Sequence, residues 1–182
     1  MKKIIFLLLI CFQLTAIAQT EPEVQLLKSK IESLLLENGT LLEATTEEIG
    51  TLSYSIAMKV VRLKNLNTGA KISGLVFESN SISGIIDADE MDLLVKSLNT
   101  MKEAANSTRP LQTEIRYRSR TGFEISAVYD FERKEAYSNT KTSERKWMYS
   151  LRSAARDSRG SSLRPSDFMA LCGFVEAARS KM

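Results

Sequence analysis

One pattern occurs twice in this chain, and it limits the fold more than anything else in the sequence. Thr68-Gly69-Ala70-Lys71-Ile72-Ser73-Gly74-Leu75 lines up with Thr121-Gly122-Phe123-Glu124-Ile125-Ser126-Ala127-Val128 at an offset of 53, with four of eight positions identical. A helical stripe then recurs at an offset of 77: Met91, Leu94, Val95, Leu98 and Met101 fall on Phe168, Leu171, Cys172, Val175 and Ala178. Residues 51 to 64 alternate, with Tyr54, Ile56, Met58 and Val60 on one side, which predicts a strand. Ala70 to Phe77, Ile82 to Ile86 and Glu114 to Arg120 read as further strands. Each unit is therefore a few antiparallel strands followed by one helix. So short a unit cannot bury its sheet face and helix stripe alone, and the two must share a core. The expected class is α+β: antiparallel sheet built from two related strand-strand-(strand)-helix units, with an additional N-terminal helix.

Local signals set the boundaries. Val24, Leu27, Ile31 and Leu34 have helical spacing over residues 22 to 36, and Asn38-Gly39 stops that helix. Asp87 and Glu90 have the spacing of a capping box, and Ile86 and Met91 that of a hydrophobic staple. Before the second helix, Leu163 and Phe168 repeat the staple and Pro165 takes the first helical position. Arg164 replaces the capping Asp87, so Ser166 is the expected cap. The layout is then 1–18 signal peptide, 19–50 N-terminal helix and linker, 51–108 first unit, and 109–182 second unit. The two offsets differ by 24 residues, which places an insertion at about 137–162. Within it, 143–156 suits either helix or strand, and Ser158 to Ser162 reads as a loop.

The first 18 residues carry an export pattern. Lys2 and Lys3 precede an uncharged apolar stretch from Ile4 to Phe12, and Ala16-Ile17-Ala18 offers small residues for cleavage before Gln19. The stretch is short of the roughly 20 residues that span a bilayer, and bulky Ile10 before Cys11 argues against lipid attachment. The expected destination is a bacterial periplasm or the medium. Cys172 is then the only thiol of the mature chain, which rules out an internal disulfide framework. The 182 residues include no histidine, so Ser-His-Asp triads, Cys-His pairs and histidine-ligated zinc are excluded. No cofactor motif and no catalytic constellation is expected.

Two features remain as candidate sites. Asp87, Asp89, Glu90 and Asp92 crowd four carboxylates into six positions, which admits a calcium site or a small hydrolase. Acids also gather at helix N-termini for the free amides and partial positive charge there, and that is the expected role. The second feature is charge asymmetry. Residues 19–108 carry 8 basic and 13 acidic side chains, whereas 109–165 carry 13 and 7. On a strand, Arg116, Arg118 and Arg120 share one face. Lys146, Trp147 and Tyr149 add a cation and aromatic contact area. Cys172, in an apolar helix stripe, reads as a core residue rather than a nucleophile.

In outline the strands-then-helix unit is similar to the PUR repeat and to Whirly-like folds, nucleic-acid-binding architectures whose curved antiparallel sheets carry basic and aromatic residues. The likeness lies in element order, not in matched motifs, and export makes nucleic acid an unexpected partner. The expected function is non-enzymatic binding of an acidic protein, a glycan or an anionic surface through the basic face. The alternatives are the carboxylate-based enzyme or calcium protein, and an oligomer formed through a free sheet edge.

Overall fold

The computed structural model describes residues 27–131, 145–153 and 160–182. Residues 1–26, which include the expected signal peptide, and residues 132–144 and 154–159 lie outside them. A short helix, α1 (Lys30–Leu35), opens the described chain. Its first turn is fixed by Ser29, whose hydroxyl accepts the Glu32 amide at 2.8 Å while Glu32 accepts the Ser29 amide at 2.9 Å.

Four antiparallel strands follow: β1 (Leu42–Leu52), β2 (Ile56–Asn65), β3 (Lys71–Glu78) and β4 (Ser83–Asp87), then α2 (Met91–Ala104). The order repeats as β5 (Thr113–Arg118), β6 (Glu124–Phe131), β7 (Arg145–Arg152) and β8 (Ser161–Leu163), then α3 (Pro165–Ser180). The fold is α+β, with two antiparallel four-stranded sheets, each closed by a helix. Within each sheet, every strand lies beside its sequence neighbour.

Four boundaries differ from the sequence reading. The first helix, expected over 22–36, does not run through 27–29: its described part is Lys30–Leu35, Leu27 is exposed, and 22–26 lie outside the described residues. Residues 42–50, read as linker, form most of β1, and a tight turn at Ser53–Ser55 divides 51–64 between β1 and β2. The segment without a counterpart, 137–162, contains β7 and the first two residues of β8, so it supplies sheet, and Ser161 and Ser162, read as loop, are strand. By place in its sheet β7 corresponds to β3, and both have eight residues. The matched turn at Gly69 and Gly122 instead joins β2 to β3 in one unit and β5 to β6 in the other. Finally, Ser166 lies inside α3. The cap position is Arg164, whose amide is accepted by Asp167 at 3.3 Å.

The two units share one core, because the second lends two rings to the first. Phe174 of α3 packs on β1 at Gly50, where a Cβ would lie 2.4 Å from the ring. Phe123, just before β6, packs on Gly84 of β4, where a Cβ would lie 2.2 Å away, and stacks on Phe77 with centroids 4.7 Å apart. Neither glycine can carry a side chain without moving an aromatic ring. Met58, Val60, Leu75 and Phe77 from the first sheet join Ile125, Ala127 and Leu151 from the second, with Leu98 and Val175 of the helices between them. A separate small cluster lies on the opposite side of the first sheet, where Ile31 and Leu34 of α1 cover Leu63.

Candidate functional site

The acidic cluster sits where β4 turns into α2, and it faces cations. Asp87 is completely buried. Its Oδ2 accepts from Arg120 Nη1 at 2.7 Å and from the backbone amide of Lys30 at 2.8 Å. Arg120 Nη2 donates to Asp89 Oδ2 at 2.8 Å, and the Lys30 ammonium lies 3.0 Å from that oxygen. Glu90 accepts the Arg120 amide at 2.7 Å and the Asp87 amide at 3.3 Å, the latter being the reach-back of a capping box. Asp92 pairs with Arg179 at 2.6 Å. The Arg120 guanidinium, aided by Lys30, holds the Asp89 carboxyl below its ordinary range.

In this geometry Asp87, Asp89, Glu90 and Asp92 take the capping and charge-pairing role expected of acids at a helix start. A hard cation needs several oxygens free to converge on it. Here the oxygens are directed at guanidinium, ammonium and amide groups, and among the described residues no group of three or more acids and thiols is arranged to hold a metal. The cluster is instead a three-way junction. It ties α1 (through Lys30), the first unit (through Asp87 to Glu90) and the turn after β5 (through Arg120) into one knot. Asp87 Oδ1 and the Tyr117 hydroxyl are buried there without hydrogen-bond partners. Burial pushes the Tyr117 phenol above its ordinary range.

The arginine triplet is divided. Arg116 and Arg118 alternate on β5 with buried Tyr117 and point to the outer face of the second sheet. Arg120 lies past the end of β5 and folds back into the junction. The expectation of three guanidinium groups on one face is therefore corrected for Arg120, because alternation holds only while the strand lasts. Arg152 of β7 takes its place. Cross-strand register sets Arg118 beside Glu124 and Glu124 beside Arg152. Three guanidinium groups surround this one carboxylate, with Arg116 and Arg118 each 3.6 Å away and Arg152 at 3.7 Å. Arg116 also binds Glu114 at 2.7 Å. The next row runs from Arg116 through Ser126 and Ser150 to Ser162, and the first two hydroxyls are 2.8 Å apart.

The aromatic part of the predicted surface is also corrected. Trp147 and Tyr149 alternate with Lys146, Met148 and Ser150, and the register of β7 turns both rings inward. Trp147 lies 5.4 Å from Tyr129, and its Nε1 donates to the Ser107 carbonyl at 3.3 Å. Tyr149 stacks on Phe168 with centroids 4.0 Å apart. Both rings are largely buried and pack the core, and only their edges, with Lys146, line a cavity of about 490 Å³ beside Ser107 and Pro165. Lys146 is exposed, on the outer face beside Asp130.

Cys172 is half-buried on α3, with Val95 and Leu98 of α2 along the same groove. Burial pushes its thiol above the ordinary range, which opposes formation of the thiolate a nucleophile requires. Among the described residues no helix is long and apolar enough to cross a membrane. Comparison with known proteins supplies no relative: no family model, no curated protein and no solved structure matches this chain.

Proposed function

We propose that the mature chain is an exported, non-enzymatic binding protein that engages an acidic protein, glycan or anionic surface through the outer face of its second sheet. One observation supports this reading above the others: three arginines gather around the single, nearly buried carboxylate of Glu124. Positive charge therefore exceeds negative at that point, on a face that no described helix covers. Arg116 and Arg118 leave one strand two residues apart, about 7 Å at the backbone, and Arg152 leaves a strand about 10 Å away, so three separate backbone positions send their guanidinium groups to Glu124. A partner bearing several carboxylates or sulfates matches this convergence of three cations better than a singly charged one. The serine row beside it adds hydroxyls that donate or accept. Glu114 and Glu124 moderate the field, which favours weak, salt-sensitive contact over tight polyanion binding.

The test is a charge reversal, with Arg116→Glu, Arg118→Glu and Arg152→Glu combined in the mature chain. Dextran sulfate and polyglutamate serve as probes, titrated from low to physiological salt. The unmodified protein is expected to bind at least one of them, more weakly as salt rises, and the triple variant at least tenfold more weakly still. Equal binding by both proteins overturns the reading. Export is tested separately by the N-terminus of the protein recovered from cells, which is expected to be Gln19.

A further inference from the structure

The inner face of the first sheet changes character along its length. Ile56, Met58 and Val60 of β2 point into the core, and the same alternation then brings Arg62 and Lys64 onto that face. Register extends the change across three strands. Thr45, Arg62 and Ser73 form one row, and Glu43, Lys64 and Lys71 form the next. These rows and Met182 line a cavity of about 360 Å³.

Donors outnumber acceptors there. Lys64 and Lys71 stand directly opposite each other across β2 and β3, an arrangement that destabilises a sheet unless something negative lies between them. Glu43 only partly relieves it, since it approaches Lys64 at 3.9 Å. Among the described residues, the Lys71 ammonium and the hydroxyls of Thr45 and Ser73 have no hydrogen-bond or ion-pair partner. Arg62 is held in place. Its Nη2 donates to Glu47 at 2.9 Å and to the Lys181 carbonyl at 2.7 Å, and its Nε donates to the same carbonyl at 3.1 Å. A fixed guanidinium, two opposed ammonium groups and two free hydroxyls make a set of donors in want of an oxyanion.

We infer that this cavity binds a small phosphate-bearing molecule, with Lys64 and Lys71 on the phosphate oxygens, Thr45 and Ser73 donating beside them, and Arg62 positioning one wall. The volume is at the lower end of the roughly 300–1,000 Å³ of small-molecule pockets, which exceeds the need of a bare anion. Glu43 is the one acidic side chain in the ring and suits a hydroxyl on the same molecule. A hydroxylated phosphate monoester meets both requirements. This site is separate from the arginine face of the second sheet.

Calorimetric titration of the mature chain with inorganic phosphate and with glycerol 3-phosphate tests the assignment. The ester is expected to bind, and phosphate alone to bind more weakly. Comparable binding of both makes free phosphate the ligand of the same site. Lys71→Glu is expected to weaken binding at least tenfold while its melting temperature without ligand stays level or rises, because the like-charge pair is gone. The Arg116, Arg118 and Arg152 reversal is expected to leave this binding unchanged, so failure of the polyanion reading and failure of this one are told apart. No heat with either probe at millimolar concentration overturns the inference. So does binding that survives Lys71→Glu or is lost in the second-sheet variant.

Discussion

The outer faces of the two sheets have opposite fates. On the first sheet the outward positions include Val61, Leu63, Ile72 and Ile85, and α1 lies over them with Ile31 and Leu34. On the second, the outward positions of β5, β6 and β7 include Arg116, Arg118, Glu124, Ser126, Ser150 and Arg152, and no described helix lies over them. An antiparallel sheet is free to leave one face in water, provided its alternation supplies polar side chains there. The second sheet does so; the first carries an apolar outer face and requires a cover. The same element order thus builds a closed unit that contributes stability and an open one that presents charge. The junction around Asp87 binds the two.

Removing Arg120 is the most severe way to break that comparison. Arg120→Ala leaves the buried Asp87 carboxylate with one backbone amide donor and no cation. Stripping the partner from a buried charge costs about 3 kcal/mol or more, and denaturant unfolding is expected to register it. Arg118→Ala on the open face leaves Glu124 with two arginines, and because Arg118 is itself half-exposed and one of three partners the loss is expected to stay at about 1 kcal/mol. Equal losses from the two substitutions would mean that the junction is no more structural than the open face. Millimolar calcium is expected to leave the melting temperature unchanged, since a ligand of the native state raises it.

Lifting the cover off the first sheet is a smaller perturbation. Ile31 is 2% exposed and anchors α1 over Leu63. Ile31→Ala is expected to cost about 2 kcal/mol, the low end for such a truncation, because this cluster lies outside the main core. Hydrogen exchange sharpens the point: amides of α1 are expected to exchange faster while those of β6 hold their rates. Uniform acceleration would show that α1 is part of the main cooperative unit instead.

How much of this was legible in the sequence depended on whether side-chain period was enough to decide. The stripe of α2, its reach-back from Glu90 and the buried pair Ile86 and Met91 stand where spacing placed them, since each is a local signal in a helix of 14 residues. β1 was not legible. It is an edge strand with Leu52 as its only fully buried position, and its threonines and glutamates do not alternate with apolar residues. Such acids protect an edge from pairing with another chain, and they also hide it from a hydrophobic pattern. Trp147 and Tyr149 were misplaced for a different reason. Without knowing whether 143–156 was helix or strand, nothing fixed their face. Once β7 is a strand, Leu151 two residues on fixes the inward phase, and Arg152 falls outward with Lys146 and Ser150. Arg120 escapes the alternation because it lies two residues past the end of β5. Its partners are 30 or more positions back in the chain, and no local pattern reports them.

The gentlest probe of the comparison is acid. Asp89 is held below its ordinary value of 3.8, first by its hydrogen bond from Arg120 and then by Lys30. A carboxyl whose folded-state value is depressed contributes stability above its unfolded value, and loses that contribution as pH falls through the folded one. The window therefore opens near pH 4 and extends below it. Asp89 is 42% exposed, so solvent screens the pair and the contribution stays under about 1 kcal/mol. Glu47, depressed by Lys181 and Arg62, and Glu78, depressed by Lys59, add to the same window from the first unit. Asp89→Asn is accordingly expected to flatten part of the loss of stability below pH 4 while changing little at neutral pH. High salt is expected to flatten it further, because every one of these pairs reaches water. A pH profile left unchanged by Asp89→Asn would show that the junction depends on Asp87 and Glu90 alone, with Asp89 only a bystander on its rim.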